Sequence, residues 1–295
     1  MKPHEIPEGA VVVGVDASPH SDRAIDWAAQ HALAEARPLV LLHASPSESV
    51  VAGQPIPGGF AQPAYQRGED PTDAVILEAR SRRGIAALSP DVHGVLVHDD
   101  PRTALLDASR HASVVVLGSH GRGPARSLLL GSVSAAVVGR SSCPAVVVRP
   151  HHPGQVRRGV LVGVDGRADA TPVLDFAFRQ AAEKGLPLTV VHTVADPLTL
   201  GEEPVELDPA SAASARAALA LAESLAGYRE QFPDVSIQRR LWRGRQDAVL
   251  LTLADAMHLV VVGGARAGAS RGMGRGSVAL SVLEHAATVV AVVPR

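Results

Sequence analysis

The chain has 295 residues, 46% of them hydrophobic and 20% charged, with a net charge of -2 and a sequence pI near 6.7. That composition excludes a disordered chain and supplies no basic excess for nucleic acid or an anionic membrane surface. A single cysteine, Cys143, excludes an internal disulfide framework and fits a reducing compartment.

At about 150 residues per domain, the length suits one large domain or two small ones. The opening residues, MKPHEIPEGA, lack the basic start and apolar run of a secretory signal. The apolar runs are strand-sized, far from the ~20 residues of a membrane span. A cytoplasmic protein is expected, with neither a membrane nor nucleic acid as partner.

Taken in chain order, the first half alternates strand and helix. Val/Leu-rich strands are expected at 10–15, 38–44, 92–97, 113–117 and 144–148, and amphipathic helices at 19–36, 71–88, 101–111 and 132–140. The Pro-, Gly- and Ser-rich segment 45–69 reads as a long loop. The second half gives strands near 159–164, 187–193, 235–242, 259–262 and 288–293, with helices near 172–184, 209–230, 245–256 and 277–286. Strands apolar on both sides imply a parallel sheet covered by helices on both faces. Ser18-Pro19, Asp70-Pro71, Asp100-Pro101, Thr171-Pro172 and Asp208-Pro209 each set a capping side chain before a proline, the signature of a helix start.

The chain also repeats itself. AVVVGVDAS at 10–18 matches GVLVGVDGR at 159–167, LVLLHAS at 39–45 matches LTVVHTV at 188–194, and SVVVLGSHGRG at 113–123 matches HLVVVGGARAG at 258–268. The last strands, CPAVVVRP at 143–150 and ATVVAVVPR at 287–295, match as well. The repeat predicts two tandem α/β domains, 1–150 and 159–295, joined by the polar linker 151–158.

In an open α/β sheet, ligands bind beyond the carboxyl ends of the strands. Asp16 follows the first strand. A glycine loop, Gly118-Ser119-His120-Gly121-Arg122-Gly123, follows the fourth and runs on to Gly131-Ser132 at a helix start. Glycines allow close backbone approach to an anion, and an aspartate at the neighbouring strand end can accept hydrogen bonds from a ribose or base. Phosphates on the loop with a nucleoside reaching Asp16 form one coherent reading. Glycines that merely make tight turns form the other.

Other motifs are excluded. Neither lysine, Lys2 nor Lys184, sits in a P-loop, and no GxGxxG follows the first strand. Gly268-Ala269-Ser270-Arg271-Gly272 matches GxSxG, but its strand ends six residues earlier, and only Glu284 and His285 follow. His43 and His192, at equivalent strand ends, read as hydrogen-bonded structural residues. His98-Asp99-Asp100 is a weak metal candidate, since Asp100 already serves as a cap. Cys143 reads as a buried, inert thiol.

The spacing Gly118-x2-Gly121-x9-Gly131-Ser132, together with GVD at 14–16 and LLHA at 41–44, resembles the nucleotide-binding motif of the universal stress protein family. With the repeat, the chain resembles a tandem member of the bacterial, actinobacterial kind. The resemblance implies a Rossmann-like fold of five parallel strands per domain, in the order 3-2-1-4-5. It also implies last strands that pair with each other, which here can happen inside the chain. It implies ATP as ligand, with Mg²⁺ alongside the phosphates. Gly14, Val15 and Asp16 would then face the adenosine and Ala44 the adenine. Leu117, Gly118, His120 and Gly121 would border ribose and phosphates, and Gly131, Ser132 and Val133 would hold the phosphate chain.

In the second half the corresponding residues are Gly163, Val164, Asp165, Thr193, Gly263, Arg266, Gly276, Ser277 and Val278. Arg266 replaces the central glycine. It either clamps phosphate or closes the site, so nucleotide binding by this half stays open. The family implies a regulatory, non-catalytic role in stress adaptation, with a homodimer or an unidentified protein as partner. Two alternatives stand beside it: an ATPase or other nucleotide-using enzyme relying on Asp99, Asp100 or His120, and a scaffold whose second half binds no nucleotide.

Overall fold

The structure, a computed structural model, describes residues 6–44, 91–120, 130–150, 159–164, 170–194, 203–211, 214–264 and 277–295. The expected loop 45–69, the helix 71–88 with its Asp70-Pro71 start, and the linker 151–158 lie outside the described residues. Contacts divide the chain into two compact units, residues 1–137 with 141–143, and residues 138–140 with 144–295.

The first unit runs β1 (Val11–Gly14), α1 (Pro19–Ala34), β2 (Leu39–Ala44), β3 (Val92–Val97), α2 (Pro101–Ala108), β4 (Val114–Gly118) and α3 (Ser132–Val138). Its strands are parallel in the order β3-β2-β1-β4. Val11, Val12 and Val13 are all inaccessible to solvent, as a strand covered on both faces must be. Helix α1 starts as its sequence demands. Ser18 accepts the Ser21 N–H at 3.2 Å and Pro19, at the first helical position, has no N–H to lose. Its buried stripe, Ala24, Ile25, Ala28, Ala29 and Ala32, recurs at helical spacing. Full burial of Ile25 alone contributes about 1.5–3 kcal/mol. Helix α2 is capped by Asp100, whose carboxylate accepts the Arg102 N–H at 2.8 Å.

The second unit runs β5 (Ala145–Val148), β6 (Val160–Val164), α4 (Thr171–Lys184), β7 (Leu188–Val194), β8 (Val205–Leu207), α5 (Ala215–Ser224), α6 (Tyr228–Gln231), β9 (Ile237–Arg243), α7 (Gln246–Ala254), β10 (Leu259–Gly263), α8 (Val278–His285) and β11 (Val289–Val293). The parallel order β9-β7-β6-β10-β11 is the expected 3-2-1-4-5 arrangement. Strand β5 pairs antiparallel with β11, Val147 opposite Val290 and Ala145 opposite Val292. The two terminal strands therefore pair inside the chain. The fifth strand of the first half packs in the second unit, so the described strands divide four and seven. Arg149, just past β5, donates to the carbonyls of Leu283 and Glu284 and so caps the C-terminal turn of α8.

Three expectations are corrected. Helix α4 begins one residue earlier than its proline signal suggested: Ala170 is the cap and Thr171 lies inside the helix, with no side-chain cap bond. Asp208-Pro209 starts no helix. The Asp208 carboxylate accepts the Ala210 N–H at 2.9 Å in a local turn, and the helix begins at Ala215. The stretch then breaks at Gly227, whose φ of 83° ends one helix and opens the next. The stretch 194–207, which the sequence offers as the shorter counterpart of the loop 45–69, holds a strand, β8, which lies antiparallel on β9. Glu206 on β8 accepts two bonds from the Arg240 guanidinium, at 2.6 and 2.5 Å, and ties the added strand down.

Candidate functional site

In the first unit the chain turns sharply between β1 and α1. Ala17 adopts φ 57°, the left-handed region, and the Asp16 carboxylate accepts the Ser18 N–H at 3.0 Å. This turn presents Asp16 at the carboxyl end of the sheet. Next to it, β4 ends on Gly118, where a β-carbon would lie 2.8 Å from the carbonyl carbon and oxygen of His20. The glycine loop can therefore press against the first turn of α1. Two bonds then close the loop onto α3. Gly131 N–H donates to the Ser119 carbonyl at 2.8 Å, and Ser134 Oγ donates to the Gly118 carbonyl at 2.8 Å.

These elements enclose a cavity of about 280 Å³. That is near the lower end of small-molecule sites, which run from roughly 300 Å³ upward. The side formed by β2 and the α2 start is apolar, lined by Leu42, Ala44, Pro101 and Leu105. The side formed by the β4 loop and α3 carries the polar groups, His120, Ser132 and Ser134, with Gly131. Gly14, Val15 and Asp16 form one side and Leu117, Gly118, Leu130 and Val133 the rest, with Ser21 also reaching it. Gly14 carries no β-carbon where one would meet Leu117 at 3.1 Å and Leu105 at 3.5 Å, so its wall is close-packed.

Of the first-half candidates, the structure gathers Gly14, Val15, Asp16, Ala44, Leu117, Gly118, His120, Gly131, Ser132 and Val133 around this one cavity. Gly121 lies outside the described residues. Sequence reasoning missed Leu42, Pro101, Leu105, Leu130, Ser21 and Ser134. Pro101 and Leu105 were findable: they sit at i, i+4 on a helix that starts just past a strand's carboxyl end. His43 does not line the cavity; its Nδ1 donates to the Val15 carbonyl at 2.5 Å, bracing β2 to the end of β1. His192 makes the same bond to Val164 at 3.3 Å. Asp99 accepts the Asp100 N–H at 2.6 Å, which with the Asp100 cap leaves these two carboxylates in the architecture of the α2 start.

The second unit has a smaller cleft of about 230 Å³, to which Gly163, Gly263, Ser277 and Val278 contribute as expected. Val164 and Thr193 do not line it. Asp165, Arg266 and Gly276 lie outside the described residues. Five lining residues were not suggested by the sequence, Val262, Gly264, Ala279 and two polar side chains, Gln246 and Arg295. Gln246 stands where the repeat places Pro101 in the first half, and the Arg295 guanidinium lies over Gly263. This cleft is polar where the first one is apolar.

The fold and the first cleft define an α/β protein with a ligand-sized cavity at the carboxyl ends of parallel strands. Comparison with known proteins makes the class specific. The universal stress protein family matches residues 9–149 and again residues 157–294. A universal stress protein of Mycobacterium tuberculosis is 36% identical over 293 residues, covering 97% of this chain and 96% of its own. One from Mycolicibacterium smegmatis is 34% identical over 296 residues, covering 97% of each. A solved universal stress protein from Archaeoglobus fulgidus shares the fold, with a TM-score of 0.62 at 18% identity over 97% of this chain and 98% of that one. The chain belongs to the universal stress protein family, with two copies of the family domain in tandem. Among the described residues, no helix is long and apolar enough to cross a membrane.

Proposed function

We propose that the first unit binds an adenine nucleotide, ATP foremost, and that occupancy regulates what the protein does rather than fuelling a reaction. One observation carries this reading: a single cavity joins an apolar side, Leu42, Ala44, Pro101 and Leu105, to a polar side at His120, Gly131 and Ser132. A planar, apolar-faced base suits the first side and phosphates suit the second. Asp16 lines the same cavity just past β1, the strand between β2 and β4, and a carboxylate there can accept hydrogen bonds from ribose hydroxyls. The close-packed glycines support the fit, since a side chain at Gly118 would collide with α1 and one at Gly14 would crowd Leu117 in the cavity wall.

Binding without catalysis is proposed because the carboxylates nearest the α2 start, Asp99 and Asp100, already accept backbone N–H groups. A ligand changes such a protein only by binding one conformation better than another, so occupancy would act through partner choice or shape. Among the described residues, the second-unit cleft has no counterpart of the apolar wall, with Gln246 in place of a proline, and the proposal is confined to the first unit. The proposed domains are 1–150 and 159–295, with 151–158 as the link, in keeping with the two family matches. The proposal is tested by titrating nucleotide-stripped protein with ATP and magnesium in a calorimeter, beside a variant altered only at the polar side. Saturable binding by the parent and its loss in the variant are expected.

A further inference from the structure

His43 lies near the carboxyl end of β2, between Leu42 and Ala44. Those two neighbours line the cavity and His43 does not. Its side chain turns instead to the end of β1, where Nδ1 lies 2.5 Å from the Val15 carbonyl oxygen. A carbonyl oxygen only accepts, so Nδ1 carries the proton and donates. The Val15 N–H donates in turn to the Leu42 carbonyl at 2.9 Å. β2 therefore grips Val15 at both its N–H and its carbonyl, once through backbone and once through the His43 imidazole.

Immediately after Val15 the chain leaves the sheet. Ala17 adopts φ 57°, a conformation that a residue with a β-carbon keeps only when its surroundings impose it. The turn has an anchor on each side. After it, the Asp16 carboxylate accepts the Ser18 N–H at 3.0 Å. Before it, His43 holds the Val15 carbonyl. That carbonyl shares one rigid peptide plane with the Asp16 nitrogen and α-carbon. Fixing its oxygen therefore fixes the point from which the Asp16 side chain projects, and Asp16 lines the cavity.

We propose that His43 is a positioning residue for the nucleotide: its Nδ1–H orients the Val15–Asp16 peptide so that the Asp16 carboxylate meets the ribose hydroxyls. It thereby sets the preference of the cleft for a sugar that carries those hydroxyls. The inference rests on the nucleotide reading above and adds a specificity-determining residue to that same site. The repeat supplies an internal control. His192 Nδ1 lies 3.3 Å from the Val164 carbonyl, the same bond between the corresponding strands of the second unit. Val15 lines its cavity, whereas Val164 does not line the cleft of its own unit. A bond that merely tied strands together would make the two histidines equivalent. A role in placing Asp16 separates them.

The test is equilibrium binding of MgATP and of magnesium 2′,3′-dideoxy-ATP to the nucleotide-stripped full chain. The parent is expected to prefer MgATP by at least about tenfold, the size of a lost hydrogen bond to a charged group. His43→Leu is expected to lose about tenfold for MgATP and to hold the dideoxy analogue within about twofold of the parent. His43→Asn, whose amide nitrogen can stand where Nδ1 does, is expected to restore the preference. In an Asp16→Ala background, His43→Leu should change MgATP affinity by less than about twofold, since effects transmitted through one residue do not add. His192→Leu should leave both affinities as they are. If His43→Leu fails to fold, His43→Gln, whose amide stands nearer the Nε2 position, carries the same comparison. A full ribose preference without the Nδ1 donor, equal losses for both nucleotides, or an undiminished His43 effect in Asp16→Ala would overturn the positioning role. So would an equal loss in His192→Leu. A parent that binds both nucleotides alike would overturn this inference and leave nucleotide binding in place. A parent that binds no MgATP would overturn the nucleotide reading and this inference with it.

Discussion

A β-carbon on Gly118 would fall 2.8 Å from the His20 carbonyl carbon and oxygen, whereas the nearest atoms to one on Gly263, its counterpart in the repeat, belong to the guanidinium of Arg295. Backbone cannot move aside without shifting a helix, but a guanidinium can swing away. Gly118→Ala is therefore expected to cost about 2 kcal/mol, in the range of overpacked sites. Gly263→Ala should stay within about 0.5 kcal/mol of the parent. Urea unfolding midpoints with matched slopes decide it. Equal stability of the two variants would mean that α1 does not pack on the loop as described.

Cys143 is a second, independent probe of packing in the first unit. It is buried, and that burial pushes its thiol up to about 11, against smaller opposing hydrogen bonds led by the Ser141 hydroxyl. At pH 8 only about one such thiol in a thousand is ionised. Native protein is expected to react with an aromatic disulfide reagent orders of magnitude more slowly than protein unfolded in urea. Rapid native labelling would place the thiol on an accessible surface instead.

Acid should weaken the second unit through two carboxylates. The Arg240 hydrogen bonds hold Glu206 below the usual carboxylate range, outweighing its partial burial. Burial pushes Asp247 up, but hydrogen bonds from Arg245 and Ser281 outweigh it and leave the group below its ordinary value. A carboxyl lowered in the folded state contributes stability that is complete above the unfolded carboxylate range. That contribution is lost as pH falls through the folded value. Urea midpoints are expected to drop below about pH 4.5 in the parent and to drop less steeply in the Glu206→Gln, Asp247→Asn double variant. Identical acid limbs would contradict the assignment.

Much of this architecture was legible in the sequence because its signals are local. Val11–Val13 and Val114–Leu117 read as buried strands from composition alone, and Ser18-Pro19 and Asp100-Pro101 mark real caps. Asp208-Pro209 misled because an aspartate two residues before an N–H caps a turn as readily as a helix. Strand β8 was missed because an edge strand of three residues, held by one cross-strand ion pair, has no periodicity to detect. At the site, Asp16, Gly118 and Gly131-Ser132 stood out through spacing and residue type. Leu42, Pro101 and Leu105 did not, since apolar walls look like any other core. Arg23 and His20 were invisible as site neighbours: only the fold brings the α1 first turn against Ser119.

The central claim, nucleotide binding in the first cleft, is met most directly by equilibrium binding of MgATP to nucleotide-stripped protein and to Ser132→Glu. Ser132 is exposed at the start of α3 and lines the polar side of the cavity. A carboxylate there suits a helix start and so spares the fold, yet it repels phosphate. Saturable binding by the parent, weakened at least about tenfold in a variant that unfolds no earlier, is the predicted result. No binding by the parent, or equal binding by both proteins, would contradict it.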